Sequence, residues 1–132
     1  MKLIYKFGIA ALVVVTIASI IPNGIPTAMA HHSGVEFDTT KVIELTGTIK
    51  EFQFKNPHTW IQVLVPGPKG ESVEWSLEWG SPNALGREGY RPTSFPVGAK
   101  VTVRINPMKS GSAGGAFIGA KLEDGKTIGT WN

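Results

Sequence analysis

Apolar and polar residues alternate with a period of two in five stretches of this chain, and glycine, proline or short polar turns separate them. Such alternation is the signature of strands with one buried face. The first stretch, Val42 to Phe54, keeps Ile43, Leu45 and Ile49 in one phase and Phe52 and Phe54 in the other, so its register slips near Lys50-Glu51. A bulge or sharp bend is expected there, and Gly47 within the run points to strong curvature or a close backbone approach. After the Asn56-Pro57 turn, Thr59 to Val65 places Ile61, Val63 and Val65 on one face and Trp60, Gln62 and Leu64 on the other. Pro66 to Gly70 makes the next turn, and Val73, Trp75, Leu77 and Trp79 then alternate with Ser72, Glu74, Ser76 and Glu78. Lys100 to Ile105 and Phe117 to Glu123 supply the fourth and fifth strands, with a glycine-serine loop from Ser110 to Gly115 between them and a tail after Asp124-Gly125.

Between the third and fourth strands the pattern changes. Ser81-Pro82 reads as a helix start, with serine as N-cap and proline at the first helical position, where its missing N–H costs no intrahelical bond. The helix is expected to reach about Glu88, with Gly89 as its stop and Pro92 and Pro96 forbidding continuation. Three strands, one short helix and two strands, with a bent first strand able to pair on both sides, is the order of the OB-fold. The prediction is therefore a mainly β, five-stranded OB-like barrel with one short helix between strands 3 and 4; a small open sandwich is the alternative. The expected core is Ile43, Leu45, Ile49, Ile61, Val63, Val65, Val73, Trp75, Leu77, Val101, Val103, Ile105 and Leu122, with Trp79 packed inside and Leu85 seating the helix.

The amino terminus is different in kind. Lys2 and Lys6 precede an uncharged apolar run from Phe7 to Ile21, and Ala28-Met29-Ala30 presents small residues at a cleavage site. This is a signal-peptide layout, and the run is shorter than the ~20 apolar residues of a spanning helix. Residues 1–30 are thus expected to be a cleaved signal peptide, 31–41 an irregular arm anchored by Val35 and Phe37, and 42–132 the barrel, in an exported protein, periplasmic or secreted, that keeps no membrane anchor after cleavage.

At 132 residues the chain has room for one ordinary domain. Cysteine is absent, so disulfides, thiolate metal sites and cysteine nucleophiles are excluded. The formal charge of +3 owes much to the signal segment: from His31 onward eleven basic residues face ten acidic ones, scattered and without a basic stripe. Nucleic acid thereby loses its electrostatic warrant as a partner, which leaves an unknown protein or small molecule.

His31-His32-Ser33, Gly47-Thr48, Asn56-Pro57-His58 followed by Trp60-Ile61, Glu78 with Ser81-Pro82-Asn83-Ala84-Leu85, and Asp124-Gly125 together resemble a small exported bacterial family, the domain of unknown function six-one-five-two. The resemblance spans nearly the whole mature chain. It implies export and a small β-rich domain, and carries no activity with it. The chain departs from the family pattern at Gly86, where a longer helix-former is usual, and at Tyr90, where tryptophan is usual.

The chemistry rests on three histidines. Cleavage after Ala30 would give His31 a free α-amino group beside its own ring nitrogen, and His58 would add a third nitrogen, an arrangement resembling the histidine brace of copper proteins. Nitrogen-rich tetragonal sites favour Cu(II). His32 is an alternative ligand, and Glu74 or Glu78 would complete a shell. The arm from His31 to Lys41 spans up to ~36 Å when extended, enough to return along the first strand. The competing assignment is a metal-free ligand- or protein-interaction module that uses the barrel face around Trp60, with Glu74 and Glu78 beside it. No Ser-His-Asp order, phosphate loop or dinucleotide fingerprint is present, so the protein is expected to bind rather than catalyse.

Overall fold

The slip expected at Lys50 is the hinge of the sheet. In the computed structural model, which describes residues 36–132, the first strand β1 runs Ile43–Gln53 and shifts register between Ile49 and Glu51. The expected signal segment, His31, His32 and the expected anchor Val35 lie outside the described residues. Before the bulge β1 pairs antiparallel with β4 (Lys100–Pro107), from Ile43 opposite Ile105 to Thr48 opposite Lys100. From Thr48 onward it pairs with β2 (Trp60–Pro66). Gly47 sits at the changeover, where a Cβ would come within 2.2 Å of the Leu64 carbonyl oxygen. Only glycine lets the two backbones approach that closely.

β2 pairs with β3 (Ser72–Glu78) through Trp60 opposite Glu78 to Pro66 opposite Ser72. β3 then pairs in parallel with β5 (Gly114–Leu122), Ser76 to Glu78 opposite Gly114 to Ala116, and β5 returns antiparallel to β4. The circuit β1-β2-β3-β5-β4 closes on itself, which makes the domain a mainly β, five-stranded OB-fold barrel and eliminates the open sandwich. The one helix of the barrel, α1 (Pro82–Arg87), lies between β3 and β4. Ser81 is its N-cap, the Ser81 hydroxyl accepting the Ala84 N–H at 3.3 Å, and Gly89 follows with φ +95°. Leu85 is the buried residue of its inner face.

Two features depart from expectation. The glycine-serine segment is shorter as a loop, because Gly114 and Gly115 already belong to β5 and take part in closure. The tail is not irregular: Thr127–Gly129 forms a short strand β6 on the outer side of β5, and its Ile128 is buried.

The core holds Ile49, Ile61, Val63, Leu77, Val101, Val103, Ile105 and Leu122, with Ile43, Leu45, Val65 and Trp75 packed half-buried against it. Phe95, Phe117, Ala120 and Ile128 complete it and were not in the expected set. Phe117 escaped the alternation rule because the β4–β5 register jumps from Arg104 opposite Gly119 to Ile105 opposite Phe117. The extra residue, Ile118, reverses the phase of the strand before it.

Leu77, fully buried, is expected to lose about 2–5 kcal/mol on Leu77→Ala, measured by denaturant unfolding. Two glycines should respond in opposite directions. Gly86, inside α1 with open space where a Cβ would go, should gain roughly 0.5–1 kcal/mol on Gly86→Ala, whereas Gly47→Ala should destabilise through collision with Leu64.

Candidate functional site

The turn that carries His58 is fixed by the residue after it. Thr59 is completely buried; its N–H and its hydroxyl both donate to the Gly80 carbonyl at 3.0 Å, and its own carbonyl accepts the Trp79 N–H at 3.0 Å. These bonds extend the β2–β3 pairing past Trp60 and Glu78 and hold the backbone on both sides of His58's neighbour. A buried hydroxyl needs a partner, and here the partner is the segment that leads into α1.

His58 and Glu78 are brought together. The imidazole Nδ1 contacts the Glu78 carboxylate Oε1, with the His58 side chain 35% and the Glu78 side chain 11% exposed. Glu74, equivalent to Glu78 by alternation, goes elsewhere and pairs with Lys50 on the bulge of β1. Trp60 lies opposite Glu78 in register, and since Thr59 and Ile61 are fully buried, its side chain is on the outer face. Trp79 follows the last residue of β3 and packs tilted against Tyr90 and edge-to-face against Phe117, with ring centroids 4.7 and 4.8 Å apart.

His58 and Glu78 open onto a cavity of about 510 Å³, whose other walls include Phe37 and Thr39 from the arm, Trp79, Ser81 and Phe117. The arm reaches it by pairing with the end of β4. Asp38 N–H donates to Pro107 O at 2.8 Å, Lys109 N–H donates to Glu36 O at 2.9 Å, and Phe37, buried, bridges to Met108. The turn that follows is held by Asp38, which accepts the Thr40 hydroxyl at 2.6 Å and pairs with Lys41 at 3.0 Å. The Thr40 hydroxyl and Lys41 hold the Asp38 carboxyl below its ordinary range. A depressed carboxylate pKa stabilises the turn at neutral pH, and that stabilisation disappears as pH falls through the lowered pKa.

Of the six residues singled out from sequence, the structure unites His58 and Glu78, sets Trp60 next to them on the outer face and separates Glu74; His31 and His32 lie outside the described residues. Among the described residues no cluster of three or more His, Cys, Asp or Glu side chains is assembled. Thr59, Thr39 and the wall formed by Trp79 and Phe117 were not anticipated as site residues. Thr59 carries no sequence signal beyond its place after Asn-Pro-His.

The family model described as Family of unknown function (DUF6152) matches residues 20–117. The chain belongs to this family. The match takes in β1 to β4, the first residues of β5 and the His58–Glu78 cavity of this DUF6152 protein. Among curated proteins none matches. Among solved structures the chain is similar to a mitochondrial single-stranded DNA binding protein of S. cerevisiae, Rim1, at 13% identity and a TM-score of 0.45, over 63% of this chain and 94% of that one. The OB-fold assignment rests on the closed strand pairing described above.

Replacing Thr59 with valine keeps the volume and removes the hydroxyl donor. The change is expected to cost about 1 kcal/mol in unfolding free energy, with the largest amide shifts confined to His58, Trp79 and Gly80 in an NMR spectrum.

Proposed function

We propose that this protein is exported, loses its signal segment at Ala30, and binds Cu(II) between the new amino-terminal His31 and His58. The single observation that supports this reading is that the arm and His58 line one cavity. The arm does not have to retrace the length of β1, as its position in the sequence suggested. Barrel closure puts the end of β4, where Phe37 and Asp38 are paired, next to β5 residues Ala116 and Phe117 and thus next to His58. Glu36 is five steps along the chain from His31, a reach of up to ~18 Å for extended chain. An α-amine, the ring nitrogen of the same residue and the ring of His58 make a nitrogen-rich set of the kind Cu(II) prefers.

The rival reading, a metal-free interaction module, draws on Trp60, whose outward-facing ring would supply a stacking platform for a small molecule or protein.

The two are separated by calorimetry on the processed protein, with intact mass recording its first residue. Stoichiometric Cu(II) binding is expected near neutral pH, weakening as acid protonates the amine and imidazoles. His58→Ala should weaken it, and a residue added before His31 should weaken it further. Binding indifferent to both changes would eliminate the copper reading. Trp60→Ala should leave Cu(II) binding intact; in the module it would instead cost roughly 1–3 kcal/mol of partner affinity.

A further inference from the structure

We infer that Glu78 is a positioning residue: it holds the His58 ring in the Nδ1–H form, so that Nε2 is the nitrogen presented to a metal. The inference rests on the copper reading for its purpose and on the geometry for its content. An ionised carboxylate has lone pairs and no hydrogen to give, so the His58 nitrogen in contact with it must be the donor. A neutral imidazole carries one N–H, and with that hydrogen at Nδ1 the lone pair is at Nε2.

Both partners are held in place. Glu78 is the last residue of β3, opposite Trp60 in β2 and Ala116 in β5, so its backbone is tied on both sides. His58 is fixed from behind by the three bonds of Thr59. The Glu78 side chain is 11% exposed, whereas a third of the His58 side chain is exposed. With Nδ1 engaged by Glu78, Nε2 is the ring nitrogen left for ligation. Metal-binding histidines in general donate their second ring N–H to a carboxylate, a backbone carbonyl or a water, which fixes the tautomer and strengthens the ligating nitrogen. The same geometry explains why Glu78 rather than Glu74 serves: Glu74 is four residues back along β3, beside the bulge, and neutralises Lys50.

The test is long-range proton–nitrogen NMR on the uniformly nitrogen-15-labelled processed protein, metal-free, at a pH where the imidazole is neutral. His58 is expected to show its hydrogen on Nδ1, the minority form of free histidine. Glu78→Ala should return the ring to the Nε2–H form and weaken Cu(II) binding about 10–100-fold, and Glu78→Gln, which keeps an acceptor oxygen, should recover part of both. An Nε2–H ring in the native protein overturns the role of Glu78, whatever the copper result, and needs no variant to fold. A native Nδ1–H ring in a protein that takes up no Cu(II) overturns the copper reading instead and leaves the His58–Glu78 orientation standing.

Discussion

Everything in this domain depends on three residues of parallel pairing, Ser76 to Glu78 with Gly114 to Ala116. Without it the sheet is an open ribbon with two long edges; with it the ribbon is a barrel. The contact is short, and it is made possible by two residues without side chains. A Cβ on Gly114 would come within 3.0 Å of the Ser76 carbonyl oxygen across the seam, and one on Gly115 within 2.5 Å of the Asn106 carbonyl oxygen of β4, on the other side of β5. The seam is thus closed by backbone meeting backbone. It is also where the site forms, because Glu78 is the last paired residue of β3 and Ala116, its partner across the seam, forms part of the cavity wall.

The elements were legible where the residues that specify them are local. Ser81, Pro82 and Gly89 mark α1 through their own backbone preferences, and the change of phase around Lys50 announces the bulge in β1 before any partner is known. The strands of the barrel follow from period-two alternation in the same way. What escaped was set by partners. Phe117 is buried because Ile118 bulges out of β5, and a bulge is specified by the strand opposite as much as by the strand itself. Phe95 and Ile128 lie in segments with no alternation to read, and are buried by their partners: Phe95 by the Phe52, Trp79 and Phe117 rings, Ile128 by the pairing of β6 with β5.

The candidate site divides along the same line. Residue types singled out His58, Glu74 and Glu78, and alternation placed both glutamates on one face. Nothing local distinguishes them. Glu78 meets His58 because Thr59 is bonded to Gly80 and Trp79, and Glu74 meets Lys50 because the bulge of β1 turns that lysine toward it. The aromatic wall behind them likewise joins distant parts of the chain: Trp79 packs against the Tyr90 and Phe117 rings, and the Tyr90 hydroxyl accepts the Gly129 N–H at 3.0 Å, which ties the segment after α1 to β6.

The cavity draws its walls from the arm, the β1–β2 turn, the end of β3 and the start of β5, segments that are neighbours only in the finished barrel. No excised hairpin or loop peptide reproduces it, and the unfolded chain has nothing of its shape to offer. A ligand that needs all four walls therefore binds the folded state alone, and raises the barrel's resistance to unfolding by an amount that grows with the logarithm of its concentration over its Kd.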